Sequence, residues 1–254
     1  MAECLIKRRY NDGDIPTIVS WQNGTDDEIA AMIAAADAGQ IDLTDYWSIG
    51  DERTVSLSAM AATGVGETHA AQSVTFVLMD TGANSGYKDA NDKTVNFVVG
   101  LKHSLNENGY MNRTNTNAGS WESCARRTWC NNVFRMAIPE TLRGIFKQFK
   151  TVTASENNSD TLKTSLDYFA LFAEKEVFGT NTYSRAAEAN ALKQIKYYEV
   201  SANRIKNVNG SAAIWWERSP SSNYSYNFCI VNIYGNAGSN FASDAGGVAS
   251  FGCI

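Results

Sequence analysis

The sequence has little of what several common activities require. It contains three prolines and two histidines among 254 residues, and its formal net charge is −5. A protein that binds nucleic acid needs clustered Lys and Arg, and the one basic run, Lys7-Arg8-Arg9, is too short for that purpose. Because histidine is a common ligand of transition metals, two histidines leave few ligands for such a site. The sequence therefore predicts no nucleic-acid partner, no metal and no other cofactor.

Long apolar runs are also missing. No stretch of about 18 consecutive apolar residues occurs, so no segment is predicted to cross a membrane. At the N-terminus, Cys4-Leu5-Ile6 precedes the three basic residues, which reverses the order of charge and apolar residues in a secretory signal peptide. If the protein reaches the outside, we expect it to do so on a particle, by another secretion route, or after removal of a leader.

The five cysteines, Cys4, Cys124, Cys130, Cys229 and Cys253, are an odd number in a chain too long to depend on a disulfide framework. Cys124 and Cys130 are also farther apart than the two cysteines of a typical zinc site. We therefore expect most of the thiols to be reduced and buried as small hydrophobes. A bridge between Cys229 and Cys253 remains open, but nothing in the sequence indicates it.

No catalytic constellation is recognisable. Nucleophilic catalysis needs a base oriented beside a Ser or Cys, yet the sequence has no G-x-S-x-G motif. His69 and His103 are interpreted as exposed loop residues. Glu174 and Glu176 are interpreted as a solvated face and not as an acid–base pair. The sequence therefore predicts a protein that is not an enzyme.

The chain is long enough to form a substantial core, with 44% hydrophobic and 19% charged residues. No proline-rich or charged linker divides it, so we predict a lead over residues 1–44 and one large domain over residues 45–254. The lead is expected to contain one helix. Thr25 and Glu28 have the spacing of a capping box, an alanine-rich segment follows, and Gly39 is placed to end the helix.

The rest of the chain contains both helix and strand signals. Trp121 and Trp129, eight residues apart, are expected on one buried face of a helix. The predicted strands cover residues 73–80, 95–101 and 166–172, and the predicted helices cover residues 120–131, 139–149 and 186–193. Helices followed by a run of short strands favour an α+β fold.

The C-terminal segment combines an apolar frame with small and polar residues. The frame consists of Trp215-Trp216-Glu217-Arg218-Ser219-Pro220, Phe228-Cys229-x-Val231, and Gly247-Val248-x-x-Phe251-x-Cys253-Ile254. A recognition surface needs this division, because rigid strands then hold exposed Tyr, Ser and Asn that bind at low entropic cost. The same residue types are also ordinary loop formers. The candidate ligand-binding residues are Ser221, Ser222, Asn223, Tyr224, Tyr226, Asn227, Ile230, Ile233, Tyr234, Asn236, Ser239, Asn240, Phe241, Ser243, Asp244 and Ala245.

The residue types of this segment favour variability. Asn, Ser, Tyr, Ile and Asp are reached from an Asn codon by changing one adenine, and Phe, Ala and Gly by changing both. Lys, Glu, Gln, Met and Trp are not reached in this way. These five types make up 41 of 254 residues, yet none occurs in residues 219–250, where about five would be expected. Loop composition depletes some of the same types, so the gap supports adenine-directed variation without proving it.

The frame resembles the C-terminal signature of a domain that is widespread in gut bacteria and their phages. It is also similar to the variable proteins of diversity-generating retroelements, in which adenine-directed mutagenesis rewrites a C-terminal segment. The resemblance is carried by Trp215-Trp216-Glu217-Arg218-Ser219-Pro220, Asn227-Phe228-Cys229-x-Val231, Gly247-Val248 and Phe251-x-Cys253-Ile254. It extends more weakly over residues 45–254.

Those variable proteins have a C-type-lectin-like fold and bind ligands as phage receptor-binding or bacterial surface-displayed proteins. The resemblance therefore implies an α+β, C-type-lectin-like fold with flanking helices and a variable β and loop region at about residues 219–250. It implies a protein or glycan ligand on a cell surface, and a location on a virion, such as a phage tail, or on the bacterial cell surface. Formylglycine-generating enzymes share the fold, but this chain shows none of their reactive-cysteine context.

Within this hypothesis the frame holds the surface and a subset of the polar and aromatic residues makes contact. Arg218 is expected to be structural, in a buried ion pair with Glu217 or a more distant acid. A homotrimer would raise avidity without new contacts. The alternative is a fixed structural or adhesive component of a tail or pilus. The frame residues are Trp215, Trp216, Arg218, Phe228, Val231, Val248 and Phe251, and the contact residues are Tyr224, Tyr226, Asn227, Tyr234, Asn236, Asn240 and Phe241.

Overall fold

The computed structural model describes residues 16–61, 65, 68–155 and 160–254. Cys4 and the basic run at residues 7–9 therefore lie outside the described residues. The helices are α1 (Asp26–Asp37), α2 (Gly82–Ser85), α3 (Ala125–Trp129), α4 (Arg135–Ala137), α5 (Glu140–Gly144), α6 (Glu174–Phe178) and α7 (Ala186–Ala191). The strands are β1 (Glu52–Leu57), β2 (Gln72–Thr81), β3 (Phe97–Leu101), β4 (Phe149–Ala154), β5 (Leu162–Asp167), β6 (Lys206–Val208), β7 (Ser211–Ala213), β8 (Trp215–Pro220), β9 (Asn227–Val231), β10 (Ala237–Phe241) and β11 (Phe251–Cys253).

These elements form a mixed α+β fold, which confirms the predicted fold class at that level. Among the described residues the strands form four small antiparallel sheets, and the largest has the order β1-β2-β3-β11. The predicted strands at 73–80 and 95–101 correspond to β2 and β3, which pair with each other. Because β11 pairs with β3, the C-terminal residues complete this sheet, and Ile254 is fully buried.

Helix α1 begins and ends as its sequence predicts. The Thr25 side chain accepts a hydrogen bond from the Glu28 amide, and the Glu28 carboxylate accepts one from the Thr25 amide, which completes the capping box. Gly39 follows the helix with a φ of 72°, a conformation that glycine adopts without strain. Ile29, Met32 and other residues of one face pack into the hydrophobic core. At 12 residues α1 is the longest described helix, and no described helix is long and apolar enough to cross a membrane.

The prediction of a helix over residues 120–131 is wrong at its start. Gly119 and Ser120 have φ values of 80° and 56°, so the chain makes a turn there and α3 begins only at Ala125. The helix then continues through a π-helix at Cys130–Phe134 into α4. Trp121 lies in the preceding turn and donates a hydrogen bond from its ring to Asp167 at 3.0 Å. It therefore shares no helical face with Trp129, although both tryptophans are buried.

Two further element boundaries differ from the prediction. The predicted helix at 139–149 is confined to α5, and Phe149 instead opens strand β4. The predicted strand at 166–172 ends early, because β5 stops at Asp167. The pairing of β4 with β5 accounts for both shifts, since it places Phe149 directly opposite Asp167. By contrast, α7 falls within the predicted helix at 186–193.

Three residues that were expected to be exposed are buried. His69 is fully buried, because its main chain pairs with Met60 in both directions and its ring packs 5.3 Å from Trp129. Glu174 and Glu176 begin α6 but face the interior, so the prediction of a solvated face is wrong. Both carboxylates are engaged by donors from other elements, which offsets the cost of burying them. His103 is exposed, as predicted.

The last sheet has the order β10-β9-β8. All five residues of β9 are buried, whereas β10 forms the outer edge and is only partly covered. Strand β8 is irregular between Trp216 and Pro220, where its pairing with β9 shifts register. Each of the seven predicted frame residues is fully buried, as a rigid support for this sheet requires.

Candidate ligand-binding surface

The candidate residues lie along the β9–β10 hairpin and on the loops at both of its ends. Residues 222–226 precede β9, residues 233–236 connect β9 to β10, and residues 239–245 include the end of β10 and the loop after it. We call these three ranges together the hairpin surface. Thirteen of the sixteen candidate residues fall within it and are exposed or half-buried. The structure thus brings most of the predicted site residues to one hairpin and the loops at its ends.

Ser221, Asn227 and Ile230 are the exceptions, because the structure buries them. The Ser221 amide donates to the Asn227 carbonyl at 3.0 Å, and the Asn227 side-chain amide donates to Ser239 Oγ at 3.1 Å. Ile230 faces Gly238 on the neighbouring strand, where an added Cβ would stand 3.3 Å from the Ile230 side chain. These contacts place the three residues in the interior of the hairpin and its start, so their contact with a ligand stays a prediction that their burial does not support.

One end of the hairpin carries an aromatic cluster. The rings of Tyr224 and Tyr226 are 5.4 Å apart at their centroids, and those of Tyr226 and Phe241 are 5.3 Å apart. The three side chains are 48%, 38% and 44% exposed. Aromatic side chains packed together with this exposure are typical anchors of recognition surfaces, because they bury large area at low conformational cost.

The opposite end of the hairpin carries two more exposed apolar side chains. Ile233 and Tyr234 occupy the β9–β10 turn, and Tyr234 is 74% exposed. Phe241 pairs with Asn227 and Ala237 pairs with Val231, so the two ends are separated by about 14 Å at the usual strand rise. A single ligand that touches both ends must therefore span about 14 Å along the hairpin.

Asn117 holds the loop before β9 through hydrogen bonds to the main chain of that loop. The Asn117 side-chain amide donates to the carbonyl oxygens of Tyr224 and Asn227 at 3.0 Å each, and its backbone amide donates to the Ser225 carbonyl at 2.8 Å. Asn117 is fully buried. Every acceptor in this contact is a backbone carbonyl, so the loop conformation does not depend on which side chains the loop carries.

The loop after β10 is held in the same manner. The backbone amides of Met111 and Asn112 donate to the Ala242 carbonyl at 2.9 and 3.0 Å, and the Ala242 amide donates to the Tyr226 carbonyl at 2.9 Å. Ser243 is an exception, because Asn115 Oδ1 accepts from both its amide and its hydroxyl. The two loops therefore share one scaffold segment, residues 111–117.

Further main-chain contacts fix the start and the turn of the hairpin. Ser222 donates from its amide to the Tyr183 carbonyl at 2.7 Å and accepts from Arg185 at its own carbonyl at 2.9 Å. In the β9–β10 turn, Asn232 Oδ1 accepts from the amides of Tyr234 and Asn236 at 2.9 and 3.1 Å, which is an Asx-turn contact. The exposed side chains of the turn take no part in these bonds.

A buried ion pair supports the β10-β9-β8 sheet. Arg218 donates from its two terminal nitrogens to the two carboxylate oxygens of Glu176 at 2.6 and 2.7 Å. It also donates to the carbonyls of Leu171 and Val152 at 2.9 and 3.1 Å, while the Tyr87 hydroxyl donates to Glu176. The partner of Arg218 is thus the distant acid, not Glu217. This bidentate pair links β8 to α6.

Glu174 links the same region to the loop that holds Ser222. Its carboxylate accepts hydrogen bonds from the backbone amides of Thr182, Tyr183 and Ser184 at 2.7–3.0 Å, and from the Ser184 hydroxyl at 2.6 Å. A carboxylate that accepts this many hydrogen bonds fixes the conformation of a loop. It orients the Tyr183 carbonyl toward the Ser222 amide.

The other two buried glutamates of this region have raised pKa values. Burial raises the pKa of Glu188 to about 7, against opposing hydrogen bonds from Ser219 and the Ala154 amide. Burial, together with the nearby Glu174 and Glu188, raises the pKa of Glu217 well above its usual range. Neither carboxylate oxygen of Glu217 has a hydrogen-bond partner among the described residues. The raised pKa favours the neutral form of Glu217, which is less costly to bury than the carboxylate.

The described cysteines are not suited to nucleophilic chemistry. Cys124, Cys130, Cys229 and Cys253 are free and buried, as the sequence predicts for most of the thiols. Burial raises the pKa of Cys124 to about 12 and that of Cys130 to about 11, so both remain protonated at neutral pH. Among the described residues, no group of three or more His, Cys, Asp or Glu side chains forms a metal site.

The hairpin surface lies within the part of the chain that matches a known family. A family model described as a domain of unknown function, DUF6273, matches residues 73–249, more than half of the chain. The chain belongs to the DUF6273 family. Neither a curated protein nor a solved structure matches it. The DUF6273 match includes β3 to β10 and the scaffold segment 111–117, but not α1, β1 or β11.

Sequence reasoning missed the residues that hold the loops in place. Asn117, Arg185 and Asn232 bind main-chain atoms of the hairpin or its flanking loops. Asn117 ends an Asn- and Thr-rich stretch, Asn112-Arg-Thr-Asn-Thr-Asn117, whose composition is typical of a loop. Its role depends on a contact 110 residues away, which no local pattern reveals.

Proposed function

We propose that this protein binds ligands through the hairpin surface, whose side chains are diversified by adenine-directed mutagenesis. The observation that carries the proposal is that hydrogen bonds to main-chain atoms hold the loops before β9 and after β10. Asn117, Met111, Asn112 and Arg185 bind backbone atoms of these loops. Side chains at positions such as 224, 226, 241 and 245 are thereby free to vary without loss of the loop conformation.

The sequence supports the same proposal independently. The five residue types that are not reached from an Asn codon are missing from residues 219–250. The frame, which is buried, resembles the signature of the retroelement variable proteins. In this proposal the fold is C-type-lectin-like, with β8, β9 and β10 as the display sheet. The ligand is a protein or glycan on a cell surface, and the protein acts on a phage tail or on the bacterial surface, with avidity raised by a homotrimer.

Sequencing tests the diversification. The 3′ end of the gene and its flanking DNA are sequenced across related isolates and across a population grown from one clone. We expect changes confined to the candidate residues and to the adenines of a nearby template copy. A uniform segment, with no template copy and no reverse transcriptase gene nearby, would contradict the diversification and leave a surface with one fixed specificity.

A variant tests the binding surface. Tyr224, Tyr226 and Phe241 are replaced together by Ser, a residue that an Asn codon yields through one adenine. We expect the free energy of unfolding to fall by less than about 2 kcal/mol, because these side chains are half exposed. Binding of the labelled protein to a glycan array and to a panel of gut bacteria is expected to be lost.

Phe228→Ser is the matched control, because Phe228 is a fully buried aromatic residue of the neighbouring strand. It should cost about 3–5 kcal/mol. If the triple variant is destabilised as much as Phe228→Ser, or falls apart from an oligomer, the aromatic cluster is a fixed interface. That outcome would favour the structural or adhesive alternative.

A further inference from the structure

A cavity of about 280 Å³ lies where α3 passes through the π-helix into α4. None of its lining residues belongs to the hairpin surface. Its walls come from the helical segment, from the residue before β4 and from the end of β5 and the loop after it. The lining residues that matter here are Arg127, Thr128, Asn132, Arg135, Gln148 and Tyr168.

Arg135 is held in this cavity by an aromatic ring. Its guanidinium carbon lies 3.5 Å from the centroid of the Tyr168 ring, which is the distance of direct stacking. Its Nε is buried and has no hydrogen-bond partner in the part of the chain that the structure describes. Among the described residues, the guanidinium makes no ion pair and no hydrogen bond. The stacking therefore fixes the plane of the group and leaves its donors unused.

The other arginine of the cavity is fully engaged. Arg127 donates to Asp167 at 2.6 Å and to the carbonyls of Glu122 and Leu166 at 3.0 Å each. Asp167 also accepts hydrogen bonds from Trp121 and Thr151, so its carboxylate is already satisfied. Among the described residues, the charge of Arg127 is thus neutralised by a carboxylate, whereas Arg135 has no such partner and leaves one uncompensated positive charge in the cavity.

The support beneath Arg135 is rigid. Asn131, in the π-helix, accepts hydrogen bonds at its Oδ1 from the backbone amides of Tyr168 and Phe169 at 2.6 and 3.3 Å. It also donates to Asp167 at 3.0 Å. The π-helix places this residue toward the strand, and π-helical turns frequently occur at functional sites. The Tyr168 ring, on which Arg135 stacks, is therefore positioned through the hydrogen bond between the Tyr168 main chain and Asn131.

Further donors face the same space. The side chains of Thr128, Asn132 and Gln148 line the cavity and form no hydrogen bond with another described residue. A guanidinium group presents paired N–H donors that match the oxygens of a carboxylate, sulfate or phosphate group. Amide and hydroxyl groups add neutral donors around such an anion.

We propose that this cavity is a second ligand-binding site, which takes a small oxyanion with Arg135 as its anchoring donor. The π-helix and Tyr168 orient Arg135, and Asn132 and Gln148 donate the remaining hydrogen bonds. The site is independent of the proposed function, because it shares no residue with the hairpin surface. It would recognise an anionic group on a small ligand whatever side chains the hairpin surface carries.

Calorimetric titration of the full chain tests this site. The probes are sodium glucuronate, sodium sulfate and sodium phosphate, at a constant ionic strength set with sodium chloride. We expect saturable binding of at least one probe, and the tightest of the three identifies a carboxylate, sulfate or phosphate ligand. Arg135→Ala should weaken that binding by about tenfold or more, because charge-assisted hydrogen bonds are lost.

Arg143→Ala is the matched control, since it removes the same charge from α5, outside the cavity lining. It should leave the affinity within about twofold. If Arg135→Ala does not fold, Arg135→Lys and Arg143→Lys replace the pair. The lysine at 135 keeps the charge but loses the paired donors, so we expect a weakening of about threefold or more at that position alone. Absence of saturable binding for all three probes, or equal affinities of the position-135 variant and its control, would overturn the proposal.

Discussion

Single buried charges determine how firmly the hairpin surface is supported. Arg218 is fully buried on β8 and spans the distance to α6 through Glu176, which also accepts from Tyr87. A buried pair of this kind adds little to stability compared with apolar residues, but the loss of one partner leaves an uncompensated charge in the core. The cost of disruption therefore exceeds the net value of the pair.

Glu176→Gln is expected to lower the free energy of unfolding by about 3–5 kcal/mol, because Arg218 then remains charged without its carboxylate. Glu199→Gln is the matched control, since Glu199 forms an exposed ion pair with Lys196, and it should cost less than about 1 kcal/mol. Urea unfolding at pH 7 measures both changes. Equal losses in the two variants would show that the buried pair contributes no more than a surface pair.

His69 should make stability depend on pH. Burial, with the nearby Arg126 as the second cause, lowers the pKa of His69 from 6.5 to about 4. Below pH 6.5 the unfolded chain binds a proton that the folded chain excludes, so stability falls as the pH drops toward 4 and this residue changes it no further below that. The total loss from this residue is up to about 3 kcal/mol.

The variant His69→Gln isolates this contribution, because it removes the titrating group. We expect the free energy of unfolding of the wild type to fall relative to that of His69→Gln between pH 7 and pH 4.5. His103→Gln, at an exposed position, should retain most of the wild-type pH dependence. Parallel curves for the wild type and His69→Gln would show that His69 takes up its proton at the same pH in the folded and in the unfolded protein.

At the scale of elements, the scaffold segment 111–117 determines the conformation of two loops at once. It binds the loop before β9 through Asn117 and the loop after β10 through Met111 and Asn112. Both contacts use main-chain atoms of the loops. The two loops are therefore expected to lose order together when the scaffold is altered, whereas exchange of their exposed side chains should leave them in place.

Asn117→Ala tests this coupling. It removes two hydrogen bonds to backbone carbonyls, one buried and one partly buried, so we expect a loss of about 1–3 kcal/mol. Hydrogen exchange should accelerate at the Asn227 and Ala242 amides. Asn108→Ala, at an exposed asparagine just before this segment, should cost about 0.5 kcal/mol or less. If the Ala242 amide keeps its protection in Asn117→Ala, the two loops are held independently.

At the scale of the whole molecule, the N-terminal helix belongs to the same hydrophobic core as the sheets. Ile29 and Met32 of α1 share one buried cluster with Trp47, Phe76 and Phe97. The match to the DUF6273 family begins only at residue 73. The boundary of a sequence family therefore does not coincide with the boundary of the packed core in this chain.

We predict that Ile29→Ala lowers the stability of the entire described fold by about 2–5 kcal/mol in one cooperative transition, because it opens a cavity in the shared core. Asp27→Ala, on the exposed side of α1, should cost about 0.5 kcal/mol or less. Unfolding is followed by far-ultraviolet circular dichroism and by tryptophan fluorescence, and the two curves should coincide. A separate early transition in Ile29→Ala would mean that α1 folds apart from the rest.

Local patterns were sufficient where the stabilising contacts are local or where a whole segment is apolar. The capping box of α1 joins residues three apart, and its limits follow from the sequence. Strands β2 and β3 are strongly apolar segments, which require burial wherever they occur. The frame of the C-terminal segment is buried for the same reason. Of the candidate site, the sequence located the exposed aromatic residues but not the residues that hold their loops.

The sequence by itself thus determined the α+β class, the first helix, the main strands and the apolar frame, because those depend on near neighbours and hydrophobicity. Only the tertiary structure decided the late start of α3, the burial of Glu174, Glu176 and His69, and the confinement of Ser221, Asn227 and Ile230 to the interior. It also decided which residues bind the main chain of the hairpin and its loops. Each of these outcomes depends on hydrogen bonds or packing between residues far apart in the chain, such as Asn117 with Asn227, so no local pattern could encode them.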